Sequence, residues 1–132
     1  MEYLIDTHVC LWAIADRKKL SARVKTLLED TNNKVFVSQV SLFEIAIKVQ
    51  VGKLIELETT IAEFIAKIYL TGFEILPFKN EHVISYSIFN FSGQHKDPFD
   101  RYLAATAYFE KMAFVTKDEK FENYADRIEL VW

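Results

Sequence analysis

The chain has 132 residues, with 16 Lys and Arg against 19 Asp and Glu, which gives a formal net charge of −3. This length suits one domain, 1–132, and an apolar share of 51% is ordinary for a globular protein with a normal core. The acidic balance argues against tight duplex binding by charge alone, and the single cysteine, Cys10, excludes an internal disulfide and a cysteine-rich zinc site.

The chain alternates short apolar runs with longer segments of helical periodicity. In chain order, the pattern predicts a strand at 3–5, helices at 7–15 and about 21–33, a strand at 35–37, helices at 39–51 and 60–71, a strand at 73–76, helices at 80–89 and 98–111, and strands at 113–116 and 128–131. Gly52 and Gly72 are expected to end two of the helices. The alternation predicts a three-layer α/β fold: a central, mostly parallel sheet of about five strands with helices on both faces.

The sequence shows neither the long apolar run of a membrane span nor the pattern of an export signal. No apolar run approaches the roughly 18–20 residues of a membrane span. The first residues, Met1–Asp6, lack the basic region of a signal peptide. We therefore expect a cytoplasmic protein without a membrane partner.

Acidic residues recur beside the predicted strand ends. Asp6 directly follows the first strand, and Asp118 comes two residues after the fourth. Glu44 lies in the helix that leaves the second strand, while Asp97 and Asp100 open the helix that leads into the fourth. Since ligands of open α/β sheets bind beyond the carboxyl ends of the strands, these acids are the candidate functional residues.

Each acid also has a purely structural explanation. Asp6 and Asp97 precede helices that they could cap, and Asp100 occupies a capping-box position. Asp118 suits a turn, and Glu44 precedes a lysine by four residues, a spacing typical of a helical ion pair.

The acids taken together favour a metal site. Glu44 stands alone as a charge within the apolar stretch 42–47. Several carboxylates at one sheet edge would repel one another and raise one another's pKa values, and a hard divalent cation such as Mg²⁺ relieves that repulsion. Such a cation supports phosphoryl chemistry, and it lets an acidic protein bind a polyanion.

Four blocks of sequence, in the right order over nearly the whole chain, resemble the PIN-domain ribonucleases. The resemblance is to the VapC-type toxins of bacterial toxin–antitoxin pairs in particular. The blocks are Leu4–Trp12, Val37–Lys48 continued by Gly52–Leu54, His95–Ala107, and Phe114–Asp118 with Phe121 and Tyr124.

The resemblance implies a set of site residues. Four carboxylates match the family's acidic quartet around Mg²⁺, with Mn²⁺ as a substitute: Asp6, Glu44, Asp100 and Asp118. Asp97 and Thr116 match supporting positions near that quartet. Lys96, Arg101 and Lys117 are nearby cations that could contact RNA and offset charge during cleavage.

The same resemblance implies a PIN-like fold and an endoribonuclease that cleaves single-stranded or structured RNA by metal-activated water. It also implies a homodimer and a cognate antitoxin that joins it in a hetero-oligomer. A non-catalytic PIN-fold binding module and another acidic α/β phosphoryl-transfer enzyme remain alternatives. A haloacid-dehalogenase-type phosphatase would need an aspartate where His8 stands, and a phospho-receiver would need one after Val37, where Ser38 and Gln39 follow.

The histidines lack the spacing of zinc ligands. His82 is expected at the surface or the edge of the core. His8 and His95 lie near the proposed site, where contact with RNA is a second option. Trp12 lies on a helical segment, and packing in the core is its default placement.

Overall fold

The computed structural model describes residues 1–54 and 57–132. One sheet contains the five strands β1 (Glu2–Ile5), β2 (Lys34–Ser38), β3 (Glu74–Leu76), β4 (Ala113–Val115) and β5 (Leu130–Val131). The helices are α1 (Thr7–Ala15), α2 (Ala22–Glu29), α3 (Gln39–Gln50), α4 (Ile61–Leu70), α5 (Asn80–Ile88) and α6 (Pro98–Glu110), with 3₁₀ turns at Arg17–Lys19 and Glu119–Tyr124. Within these described ranges, no helix is both long enough and apolar enough to cross a membrane.

All strand pairs are parallel, and the strand order is β3-β2-β1-β4-β5. β1 is central, so that Ile5 pairs with Val37 of β2 on one side and with Val115 of β4 on the other. The chain builds outward from β1 through β2 and β3, and then crosses to the opposite side for β4 and β5. This reversal creates a switch point between the carboxyl ends of β1 and β4, where ligands of such sheets bind.

Alternate residues of each strand enter two separate hydrophobic cores, as the twofold repeat of a strand requires. Ile5 and Val115 join the core covered by α1, α2 and α4. Leu4 and Phe114 join the core covered by α6, on which α5 packs. α3 contributes residues to both cores. The predicted sheet with helices on both faces is therefore confirmed.

The two predicted glycine stops are confirmed. α3 ends at Gln50, and Gly52 follows with φ +74°; α4 ends at Leu70, and Gly72 follows with φ +89°. Glycine reaches this left-handed region without the steric cost that a Cβ atom imposes. The two turns therefore release the chain from α3 and α4 at the predicted places.

The second helix is shorter than predicted. α2 ends at Glu29 instead of continuing to the Asn32–Asn33 pair. The Asp30 carboxylate accepts a hydrogen bond from the Asn32 N–H (2.9 Å), and the Asn33 side chain donates to the Leu27 carbonyl (3.1 Å). These side chains satisfy backbone groups at the helix end and so favour an early turn.

Candidate functional site

Asp6 lies at the switch point, between the end of β1 and the first turn of α1. Its side chain accepts hydrogen bonds on both oxygens: Oδ1 from the Thr7 N–H (2.7 Å) and Oδ2 from the Thr116 hydroxyl (2.8 Å). Its own N–H donates to the Val115 carbonyl (2.9 Å). The residue is 4% exposed. Asp6 thus caps α1, as one interpretation of the sequence predicts, but it is also held against the end of β4.

Burial raises the pKa of Asp6 to about 6 from its ordinary value of 3.8. The hydrogen bond from Thr116 opposes this rise, and the negative charge of Asp100 adds to it. The cost of removing the charge from water therefore exceeds the benefit of the two hydrogen bonds. Asp6 and Asp100 are close enough for the ionisation of one to disfavour that of the other.

Asp100 is the third residue of α6, and a buried histidine fixes its side chain. Its Oδ2 lies 3.1 Å from His95 Nε2, and His95 Nδ1 lies 3.0 Å from the Tyr124 hydroxyl. Burial raises the pKa of Asp100; the hydrogen bond to His95 opposes this, and the charges of Asp97 and Glu44 add to it. The side chain is therefore directed to His95, and not back to the helix cap as a capping box would require.

Glu44 projects from α3 and carries an unsatisfied oxygen. Its side chain is 13% exposed, and Oε2 lies 3.4 Å from the Lys48 ammonium, the ion pair that the spacing predicts. Oε1 is buried and has no hydrogen-bond partner among the described residues. An unpartnered buried carboxylate oxygen is costly in free energy, so this atom is a candidate ligand for a cation.

Asp118 and Thr116 follow β4. The Thr116 hydroxyl, which donates to Asp6, accepts from the Asp118 N–H (3.0 Å). The Asp118 side chain accepts from the Lys120 N–H (2.9 Å) and caps the 3₁₀ turn, so the predicted turn role is present. Asp6 and Asp118 line one cleft together with His8. Thr116 thus links the backbone at Asp118 to the Asp6 carboxylate.

Asp97 is exposed and serves as the N-cap of α6. Its Oδ1 accepts from the backbone N–H groups of Phe99 (2.9 Å) and Asp100 (3.0 Å). Pro98 at the first helical position completes the predicted helix start. Asp97 therefore orients the turn that carries Asp100.

The three predicted RNA-contacting cations differ in their surroundings. The Arg101 guanidinium donates to the backbone carbonyls of His95 and Ser92 and lies 4.9 Å from the centre of the Phe91 ring. It therefore holds the loop before α6. Lys96 and Lys117 are exposed. Lys117 also lines the cleft that contains Asp6.

The structure brings the predicted acids to one end of the sheet in overlapping pairs. The pairs are Asp6 with Asp100, Asp100 with Glu44, and Asp6 with Asp118. Within residues 1–54 and 57–132, no three His, Cys, Asp or Glu side chains form a group that could hold a metal ion. Binding of one metal by the whole quartet thus stays a prediction.

His95 is the residue whose role the sequence does not reveal. It is 2% exposed and stacks on Tyr124, with ring centres 5.6 Å apart. It is therefore a positioning residue for Asp100 and is too buried to contact RNA directly. The one available signal was its place five residues before Asp100. His82 is fully buried and bonds to the partly exposed Glu110 (2.7 Å), so it lies at the edge of the core, one of its two expected places, and not at the surface.

We expect His95→Leu to lower the free energy of unfolding by about 2 kcal/mol, because the Tyr124 hydroxyl and the Asp100 carboxylate both lose a hydrogen-bond partner. Tyr124→Phe is the matched control, since it removes only the hydrogen bond between Tyr124 and His95 and keeps the one between His95 and Asp100. It should cost about 1 kcal/mol or less. Urea denaturation of both variants measures the difference, and equal losses would contradict this account of the network.

Comparison with known proteins agrees with the fold. The model of the PIN domain family matches residues 3–127. VapBC-1 from nontypeable Haemophilus influenzae has a TM-score of 0.66 at 20% identity, covering 99% of this chain and 97% of that one. VapBC2 from Rickettsia felis, bound to a DNA fragment from its promoter, has a TM-score of 0.64 at 20% identity, covering 99% and 98%.

A third similar structure is VapBC-5 from Mycobacterium tuberculosis, a member of the VapBC family of toxin–antitoxin systems. Its TM-score is 0.54 at 16% identity, with 98% of this chain and 95% of that one covered. Among curated proteins, none matches this sequence. At these identities the similar structures establish the fold alone. The family model, however, spans nearly the whole sequence, and the chain therefore belongs to the PIN domain family.

Proposed function

We propose that this chain is a divalent-metal-dependent endoribonuclease and the toxin of a toxin–antitoxin pair. The observation that carries the proposal is the buried, unpartnered Glu44 Oε1 at the sheet end where the pKa values of Asp6 and Asp100 are both raised. The charge of Asp100 adds to the rise at Asp6, and the charge of Glu44 adds to the rise at Asp100. An environment that disfavours carboxylate charge but retains carboxylates is one that a bound cation would stabilise. Membership in the PIN domain family supports the same assignment.

The donor chemistry fits Mg²⁺ or Mn²⁺. Carboxylate oxygens are the ligands that both ions prefer, and the residues that would hold the ion are Asp6, Glu44, Asp100 and Asp118. When bound, such an ion lowers the pKa of water and offsets negative charge on a phosphoryl oxygen.

The chain's own residues would orient the site. Thr116 holds Asp6 Oδ2, so the second oxygen cannot turn away from the end of β4. His95 holds Asp100 through a ring that is itself fixed by Tyr124. Lys117 lines the same cleft as Asp6 and would contact an RNA phosphate, and Lys96 is an exposed second candidate.

The proposed partners are a cognate antitoxin and a second copy of this chain, both in the cytoplasm. The VapBC names of the similar structures support the antitoxin. Apolar side chains exposed on α3 and α5, such as Phe43 and Ile88, offer surface for protein contacts.

The test is cleavage of end-labelled single-stranded RNA by the purified protein. We expect fragments in Mg²⁺ or Mn²⁺, none in EDTA, and fragments again when Mg²⁺ is restored in excess. Glu44→Gln should weaken cleavage, whereas Glu29→Gln, an exposed glutamate at the end of α2, should leave it unchanged.

The alternatives predict other results. RNA binding without cleavage in either metal would identify a non-catalytic module. Hydrolysis of a small phosphate ester with no effect on RNA would identify another phosphoryl-transfer enzyme.

A further inference from the structure

A second cleft, of about 560 Å³, adjoins the one that contains Asp6 and Asp118. The two share His8 and Trp12 as a common wall. Leu11 and Leu54 give the second cleft apolar surface. Its size lies within the range of roughly 300–1,000 Å³ that is usual for ligand clefts. We call it the Trp12 cleft.

Aromatic rings continue from the acidic site into the Trp12 cleft. His8 is exposed, and its ring centre lies 5.9 Å from that of the half-buried Trp12. Trp12 in turn lies 5.9 Å from Trp132, edge to face, with the Lys117 ammonium 5.9 Å from the Trp132 ring centre. Aromatic rings next to a basic groove are the surfaces on which proteins stack unpaired bases.

The charge of the Trp12 cleft is opposite to that of the acidic site. Its described lining includes Lys19, Lys48 and Lys53 against one acid, Asp16. Lys48 is also the partner of Glu44 (3.4 Å), so the basic cleft begins where the acidic site ends. Lysines at this position favour a polyanion over an apolar protein helix as the occupant.

We infer that the Trp12 cleft is a nucleotide subsite for single-stranded RNA, in which Trp12 stacks on an unpaired base and Lys53 contacts a phosphate. This inference rests on the proposed nuclease function and extends it to substrate binding. The shared wall of His8 and Trp12 places the stacked base next to the phosphodiester at Asp6. Duplex RNA is disfavoured because its bases are not free to enter the cleft.

The test measures binding without cleavage. The Asp6→Asn protein in EDTA is titrated into fluorescein-labelled oligouridine, and into the same ribose–phosphate chain without bases, by fluorescence anisotropy. Trp12→Leu in this background should weaken oligouridine binding roughly 5- to 100-fold and leave abasic-chain binding unchanged. Trp12→Phe, which retains a ring, should keep most of the affinity.

Two further variants keep the inference testable if Trp12→Leu is unstable. Lys53→Gln alters an exposed side chain and should weaken both oligomers and reduce the salt dependence of binding. Tyr69→Leu removes an exposed aromatic ring on α4 outside the cleft and should change nothing. Equal loss of both oligomers in Trp12→Leu, or full affinity in Lys53→Gln, would overturn the inference.

This outcome is separable from that of the proposed function. Base-dependent binding at Trp12 by a parent protein that cleaves no RNA in Mg²⁺ would reject the nuclease and retain the subsite. RNA cleavage by a parent protein whose RNA affinity does not change in Trp12→Leu would support the nuclease and reject the subsite. If an excess of either oligomer fails to displace the other, the two bind at separate sites, and this result would also overturn the inference.

Discussion

Asp6→Asn is expected to reduce RNA cleavage at least about 100-fold, the size of effect seen when a single group that stabilises transition-state charge is removed. The amide is nearly the same size as the carboxylate. Its oxygen can still accept from the Thr7 N–H, and its NH₂ group can donate to the Thr116 hydroxyl oxygen, which reverses that bond. The fold should therefore survive, while a negatively charged metal ligand is lost. Initial rates on end-labelled single-stranded RNA in Mg²⁺, together with a circular dichroism spectrum, measure both effects.

Asp126→Asn is the matched control for this substitution. Asp126 is an exposed aspartate after the second 3₁₀ turn, and its removal changes the net charge by the same amount. Its cleavage rate should equal that of the parent chain. Full activity in Asp6→Asn would show that the reaction does not depend on this end of the sheet.

The second large effect is on stability as a function of pH. Since burial raises the pKa of Asp6 to about 6 from 3.8, the folded state binds this proton more tightly than the unfolded state. Stability is then greatest when Asp6 is protonated, and it falls as pH rises from about 4 to above 6. The difference between the two pKa values corresponds to about 3 kcal/mol.

To isolate this loss, the free energy of unfolding of the parent chain is subtracted from that of Asp6→Asn, which cannot titrate at this position. The variant should be more stable than the parent near neutral pH by up to about 3 kcal/mol, and the advantage should shrink towards pH 4. Urea denaturation at a series of pH values measures it. Mg²⁺ should raise the melting temperature of the parent more than that of the variant. A difference that is constant with pH would contradict the assigned cause.

The fold was largely predictable from local signals. Apolar runs such as 113–116 are too short for helices, and Gly52 and Gly72 interrupt helical periodicity where α3 and α4 end. The end of α2 was not predictable to the residue, because it depends on side-chain contacts of Asp30 and Asn33 that composition does not reveal.

The sequence was enough to predict which acids lie at the carboxyl ends of the strands, but not how their side chains contact one another. Parallel strands bring their carboxyl ends to one edge, which is why Asp6 and Thr116 meet although the sequence separates them widely. The role of His95 was not predictable, because it depends on Tyr124, which folds back over the loop before α6. Nor does the sequence reveal how tightly the four acids approach one another, since that depends on side-chain rotamers.

The hydrogen bond from Thr116 to Asp6 joins residues 110 positions apart. During synthesis, β1 emerges from the ribosome well before its neighbour β4, because two strands and six helices of the described chain lie between them. A ribosome-bound or prematurely terminated chain that stops before β4 cannot assemble the crevice around Asp6. For the proposed nuclease, such an arrangement delays any activity until β4 and Thr116 have been made.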